Sequence, residues 1–410
     1  MTRTSPSSRI GSRPCCIVGG GPAGLMLGYL LARAGVAVRV LEKHGDFLRD
    51  FRGDTVHPST LEVLRQTGLL ERFYGLPHRR VDHLGVHVGG RLQPLIDFRG
   101  LRPFDHLCLV PQWDFLNLLA EEARRFPGFE LRMRHEATDL LWSEGEVAGV
   151  RVRTPEGEQE LGACLVVACD GRNSLIREAA KLRVREFGAP VDVLWFRLER
   201  RPEHPEETFA LVGAGHMMVL LNRTDYWQAA YLVPKGGAEG FRKQHIETLR
   251  RSVRESAPFL ELETAALDSW ERVKTLEVRV DRLERWHRPG LLLIGDAAHA
   301  MSPVGGVGIN LAVQDAVAAA NILWRPLRCG DRVGQEVLRR VQKRRLPPTV
   351  LIQAVQLQVQ KRIIARILEE SSAPPRIPAL LRALLRFRAV RRIPARLMGY
   401  GIRRERVRSP

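Results

Sequence analysis

Hydrophobic and polar positions fall into three regimes along the chain. In the first, short all-apolar runs are bounded by glycines and acids. Residues 14–19, 36–41 and 165–169 read as strands buried on both faces, and the second of them ends at Glu42. Residues 22–34 between the first two have helical composition, which makes a βαβ unit of about 30 residues. Residues 58–70 predict a helix with Pro58 in its first turn, and 112–125 an amphipathic helix. The stretches 84–88 and 92–98 flank Gly89-Gly90, a β-hairpin signal, and three or four short strands fill 129–152. In the second regime, 183–280, strand-like stretches at 191–198, 217–221, 227–233 and 273–280 alternate with one helical pattern at 241–253. That pattern predicts a mostly antiparallel sheet with a helix on one face, inserted into a nucleotide-binding domain. An apolar strand at 291–294 and a small-residue helix at 307–323 return to the first regime. The third, from about Leu338, is helical and rich in Arg, with breaks expected at Pro347-Pro348 and Pro374-Pro375.

Charge sharpens this division. The net charge is +18, but residues 338–410 hold 19 Lys and Arg against three acids, which leaves +2 for everything before them. The body is therefore no basic nucleic-acid surface. The six cysteines form no Cys-x-x-Cys pair and fit reduced core thiols in a cytoplasmic protein. Residues 1–13 lack an apolar core and read as a disordered leader, not a signal peptide. No run of 18 apolar residues occurs, so no transmembrane helix is expected. No His/Cys/Asp cluster has metal-ligand spacing.

Two glycine-rich segments carry the chemistry. Gly19-Gly20-Gly21-Pro22-Ala23-Gly24 is a G-x-G-x-x-G between a strand and a helix. Gly19 allows the tight turn, Gly21 lets a pyrophosphate approach the backbone, and Gly24 lets helix and strand pack. The helix N-terminus opened by Pro22 and Ala23 offers N–H groups to phosphate. Glu42, followed by Lys43, ends the second strand and can accept the hydroxyls of an adenosine ribose. This unit alone does not separate NAD from FAD. The second segment, 293–316, reads LIGDAAHAMSPVGGVGINLAVQDA. Its strand ends in Gly295-Asp296, at the carboxyl edge of a sheet where ligands bind. Gly305-Gly306-Val307-Gly308 then opens a helix, a counter-field for the negative edge of a reduced flavin.

With Asp170-Gly171-Arg172-Asn173-Ser174-Leu175-Ile176-Arg177 between them, these motifs resemble the three fingerprints of the para-hydroxybenzoate hydroxylase type of single-component flavoprotein monooxygenases. The resemblance covers residues 14–323. It implies an α/β fold: a Rossmann-like FAD-binding domain with an inserted antiparallel-sheet substrate domain and a helical C-terminal tail. The implied divisions are 14–85, 108–182 and 285–325 for FAD, 86–107 and 183–284 for substrate, and 326–410 for the basic helical region. The resemblance also assigns roles. Arg52 contacts FAD near its pyrophosphate, Gln112 contacts the cofactor, and Asp170 belongs to a motif tied to FAD and NAD(P)H. Asp296 binds the ribitol. Gly308 belongs to the cofactor-binding loop, and Ile309 and Asn310 present backbone N–H groups to the flavin C2 carbonyl. Pro303, with Gly305 and Gly306, lies beside the reacting C4a position. NAD(P)H would reduce the flavin, O2 would form a C4a-hydroperoxide, and an aromatic or lipophilic small molecule would be hydroxylated or epoxidised.

Trp195, Arg197, Tyr226, Trp227 and Tyr231 are candidate substrate contacts, set against the alternative that they are ordinary strand aromatics. His299 reads as a packed or capping histidine, and His57 as a weak candidate near the flavin loop. The tail has two readings: helices packed on the body with a solvated Arg face, or docking on anionic lipid through Leu380, Leu381, Leu384 and Phe387. A monomer or homodimer is expected. Rival functions are a prenyl or alkene reductase or a halogenase on the same fold, and a flavin-binding protein without turnover.

Overall fold

A computed structural model describes residues 13–48, 55–88, 91–213, 215–369 and 378–410. The expected leader, Arg52, the Gly89-Gly90 turn and the Pro374-Pro375 break lie outside the described residues. The first regime forms a six-stranded sheet in the order His287–Arg288, Leu291–Leu293, Leu165–Ala168, Cys15–Val18, Val38–Glu42, Phe129–Met133. All neighbours are parallel except the first pair. Its strands are short and apolar because both faces are covered. Helices Pro22–Arg33, Gln112–Ala123 and Gly308–Cys329 pack on one face around Ile17, Leu27 and Val167. A three-stranded antiparallel meander (Glu136–Ser143, Glu146–Thr154, Gly157–Gly162) covers the other through Val150, Val152 and Leu140.

The second regime forms a seven-stranded sheet in the order Lys274–Leu276, Val191–Glu199, Tyr226–Pro234, His216–Asn222, Phe209–Gly213, His83–Val88, Arg91–Asp97. It is antiparallel except where Phe209–Gly213 runs parallel to His83–Val88. Only Lys274–Leu276 of the expected strand 273–280 pairs. The helical pattern at 241–253 is two helices, Gly237–Arg242 and Glu247–Ser256. Residues 58–70 likewise divide into Pro58–Gln66 and Leu70–Tyr74, where Gly68 takes a left-handed conformation (φ 76°) that ends the first helix.

The tail departs most from expectation. Helix Gln335–Val359 runs unbroken through Pro347-Pro348 and continues as a π-helical turn, Gln360–Ile364, into Ala365–Glu369. A helix-interior proline costs about 3 kcal/mol. Buried polar contacts on both sides of the prolines, from Arg345 and Gln353, offset that cost. The last residues bind back onto the body: Arg344 pairs with Glu405 at 2.7 Å, Arg404 with Glu62 at 2.9 Å, and Asn321 donates to Arg406 O at 2.8 Å. Part of the tail's charge thus meets acids of the body, Asp97 and Glu62 among them. The stretch Val304–Cys329 is long and apolar enough to cross a membrane by length and composition, yet most of it is buried as the central helix of the body. Among the described residues the six cysteines are free, and no group of His, Cys, Asp or Glu could hold a metal ion.

Candidate active site

The carboxyl edge of the six-stranded sheet brings the three motifs together. The glycine turn after Cys15–Val18 is held by its own backbone. Gly19 has φ 104°, and a Cβ there would lie 2.5 Å from Cys169 O, so the turn lies directly on the strand that leads to Asp170. A Cβ on Gly24 would come within 1.9 Å of Gly19 O. Gly21 has nothing near its missing Cβ, which leaves an open cradle at the start of helix Pro22–Arg33, whose N-cap carries no side-chain bond. Glu42 closes the far side. Its Oε2 accepts from Gly20 N at 2.9 Å and its Oε1 from His44 N at 3.1 Å. Lys43 beside it is exposed.

Asp170 spends its carboxylate locally. It accepts from Ser174 Oγ at 2.6 Å and Ile176 N at 3.3 Å, capping the short helix Leu175–Ala179. Burial raises its pKa, partly opposed by the Ser174 bond. Its backbone, not its side chain, faces the glycine turn. The next residue but one supplies a group that the motif pattern did not single out. Arg172 reaches Asp296 through Nη2 at 3.4 Å, while its buried Nε and Nη1 have no acceptor. A guanidinium with idle donors between the two motifs suits an anion such as a pyrophosphate.

Gly295 (φ 62°) packs on Ala23 and Ala312, which carries Asp296 to the mouth of the glycine turn. Its N–H donates to Asp315 Oδ2 at 3.1 Å. Asp315 is fully buried and also binds His299 Nε2 at 2.6 Å and Arg345 Nε at 2.8 Å. Burial would raise its pKa, but His299 and Arg345 hold it below the usual value. His299 stacks on Trp286 with ring centroids 4.9 Å apart, so it is a packed histidine.

The loop beyond is shaped by glycines. Gly305 (φ 79°) abuts Met398 and Gly306 (φ 62°) abuts Thr55, while Gly308 is open. His57 lies beneath the loop and is wholly buried. Its Nε2 lies 3.1 Å from Gly305 O and 3.2 Å from Gly306 O, so that nitrogen carries the proton and donates. Burial lowers its pKa to about 4, which keeps it neutral. Asn310 turns its side chain away, with Oδ1 accepting from Ser59 Oγ and from Thr60 Oγ1 at 2.9 Å. Its Oδ1 is thereby spent inside the protein. Gln112 opens its helix half-buried beneath Pro111.

Strand alternation corrects the substrate set. Trp227 and Tyr231 point into the core beneath the seven-stranded sheet, against Leu249, Val253 and Phe241. Neighbours along a strand face opposite ways, so Tyr226 and Trp227 could not both line one pocket. Trp195 lies on the other face in the cluster that holds Val193, Ala230 and Val304 of the glycine loop. Arg197 stacks over Tyr226 at 3.8 Å. The open glycines, the idle arginine donors and the acid at the strand end together fit FAD.

A family model described as an FAD binding domain matches residues 13–351. The chain is 31% identical to the 6-methylpretetramide 4-monooxygenase of Streptomyces rimosus over 402 residues, 96% of this chain and 94% of that one. It is 30% identical to the rifampicin monooxygenase of Streptomyces venezuelae over 75% of this chain, and spans 63% of that longer protein. Its fold matches that of p-nitrophenol 4-monooxygenase PnpA from Pseudomonas putida with a TM-score of 0.75 at 22% identity, over 93% of this chain and 96% of that one. The chain belongs to the FAD-binding-domain family of flavin-dependent monooxygenases, enzymes that hydroxylate aromatic compounds with FAD and NAD(P)H.

Proposed function

We propose that this monooxygenase hydroxylates a polycyclic aromatic molecule held between the Gly305-Gly306 loop and the seven-stranded sheet. The observation that carries the reading is Val304. It packs in one cluster with Trp195, Val193 and Ala230, so the glycine loop and the sheet meet at a single apolar surface. Relatives named for 6-methylpretetramide, rifampicin and anhydrotetracycline support a large fused-ring substrate. FAD supplies electron transfer from NAD(P)H and activation of O2. In this reading residues 14–85, 108–182 and 285–325 hold it: Gly21 and the helix N-terminus take the pyrophosphate with Arg172 and Arg52, Glu42 takes the adenosine ribose, and Asp296 the ribitol. Gln112 flanks the ring, and the backbone of Gly308, Ile309 and Asn310 meets its polar edge. Pro303, Gly305 and Gly306 form the wall where the reaction occurs, and residues 86–107 and 183–284 supply the substrate side. There Trp195 offers a ring face, and Arg197 over Tyr226 offers a cation to a phenolate or enolate oxygen. The apolar lining excludes water from the reacting atoms.

The test is 18O2 incorporation. FAD-loaded enzyme, NAD(P)H and a panel of fused-ring phenols are expected to give a product carrying one 18O atom. Product formed from any of them without oxygen would rule out monooxygenation and move the function to a reductase on the same fold. Lipid contact, where it occurs, is confined in this reading to 378–393, since Leu380, Phe387 and Ile393 are exposed there (74, 64 and 69%) beside Arg382 and Arg386. Equal recovery with anionic and neutral vesicles would remove that contact. The enzyme is proposed to act as a monomer or homodimer, which light scattering decides.

A further inference from the structure

We infer that the helix Gln335–Val359, with the π-helical turn that continues it, is a clamp, and that Gln356 and Gln360 are positioning residues for the loop that faces the flavin. The inference rests on the reading above that FAD lies along this loop. Side chains at 342, 345, 349, 353, 356 and 360 recur at spacings of three and four, which places them on one stripe of the helix. The stripe is polar and buried. Arg345, Thr349, Gln353, Gln356 and Gln360 are each less than 5% exposed. Buried amides are costly unless they are hydrogen-bonded, and an apolar stripe would pack without that cost.

The glutamines spend their donors on a backbone. Gln353 Nε2 donates to Asp281 O at 2.8 Å and Ala300 O at 3.0 Å. Gln356 Nε2 donates to Ser302 O at 3.0 Å and Val304 O at 2.8 Å. Gln360 Nε2 donates to Ser302 Oγ at 2.8 Å, and that hydroxyl in turn accepts from Val304 N at 3.2 Å. From the other side His57 holds Gly305 O and Gly306 O, and Gly306 N closes on Pro303 O at 2.9 Å. Every carbonyl from Ser302 to Gly306 is therefore bound within the protein. In a planar peptide the N–H points away from the C=O. Val304 N and Gly306 N are spent inside the loop and Pro303 has no N–H, so tying back Val304 O and Gly306 O leaves the N–H groups of Gly305 and Val307, with the first turn of Gly308–Cys329, to face the cofactor. Loss of the Gln356 amide would free two carbonyls, Ser302 O and Val304 O, to swing toward the flavin.

The test compares four variants of the full chain: Gln356→Met, Gln360→Met, Thr349→Val and Asp296→Ala. Each is read by FAD titration into apoprotein, by the visible bands and midpoint potential of the bound FAD, and by melting temperature. Met keeps the length and packing of Gln without its donor. Gln356→Met is expected to weaken FAD at least about tenfold, which is about 1.4 kcal/mol, and to shift its bands and potential, since the two freed carbonyls would present negative charge to the ring. Gln360→Met, which loses only the Ser302 hydroxyl contact, should act in the same direction and less. Thr349→Val removes a bond made within the helix, to Arg345 O, and should move the melting temperature alone. If both methionine variants bind FAD with wild-type affinity, bands and potential while Asp296→Ala weakens it, the clamp is refuted. If Asp296→Ala also leaves FAD affinity unchanged, the cofactor reading falls, and the clamp with it.

Discussion

The two glycine segments do similar work by opposite means. The turn Gly19–Gly24 is nearly self-contained. Its shape comes from close backbone approaches, Gly24 on Gly19 and Gly19 on Cys169, and from one carboxylate on the adjoining strand. The segment from Gly295 to Gly308 makes few such contacts of its own. Asp315, His57, Gln353, Gln356 and Gln360, drawn from three different helices or their caps, fix its path. The first is rigid by exclusion, because no side chain fits. The second is rigid by attachment, because donors arrive from elsewhere. A defect in the first should therefore be steric and total, and one in the second graded and dependent on distant residues.

Gly24→Val is the most damaging change expected. Its Cβ would fall inside the Gly19 carbonyl, with no flexible group able to yield. A loss on the order of 5 kcal/mol or more is expected, with no FAD retained through purification. Recovery of a yellow protein with a near-native melting temperature would contradict the steric account.

Asp315→Ala attacks the second segment from its anchor. It takes from Arg345, which is 1% exposed, the nearer of its two carboxylates (Glu405 lies at 3.5 Å), and leaves Gly295 N and His299 Nε2 without their acceptor. Removing one partner of a buried ion pair costs about 3–5 kcal/mol. Chemical denaturation should show that loss, and Arg345→Met combined with Asp315→Ala should recover part of it.

The smallest of the three effects is one of pH. The folded pKa of His57, about 4, lies below its unfolded value near 6.5. Its contribution is therefore fully present above pH 6.5 and is lost as pH falls toward 4, about 3 kcal/mol over that window. His57→Gln keeps a donor for Gly305 and Gly306 but does not titrate. Its stability should fall less steeply between pH 6.5 and 4 than that of the wild type. Parallel curves would assign the acid sensitivity elsewhere.

How far the sequence foresaw each region follows from the same contrast. The βαβ unit was legible because its requirements are local: apolar runs of strand length, glycines where no Cβ fits, and an acid at the strand end. The Asp170 motif was legible as a pattern, but the pattern did not show how its carboxylate is spent: a buried carboxylate four residues before Ser174 is satisfied within its own turn. Arg172 was missed because an arginine's partners are set by what surrounds it, and here they lie 124 positions away. For Trp227 and Tyr231 the sequence left substrate contact and strand packing both open, because aromatic content says nothing about which sheet face is inward. The strand alternation was present in the sequence, and the helix Glu247–Ser256 chose the side.

The sequence by itself determined the cofactor half, the order of the motifs, the inserted sheet and the concentration of positive charge in the tail. Each of these follows from short-range sterics or from composition. Only the tertiary structure decided that Pro347-Pro348 lies inside a continuous helix, that tail arginines pair with Glu62 and Asp97 of the body, and that a stripe of glutamines holds the loop from Ser302 to Val304. The physical reason is that glutamine, arginine and proline have weak or misleading local preferences. Their energies depend on burial and on partners far along the chain, and those exist only once the helix has docked.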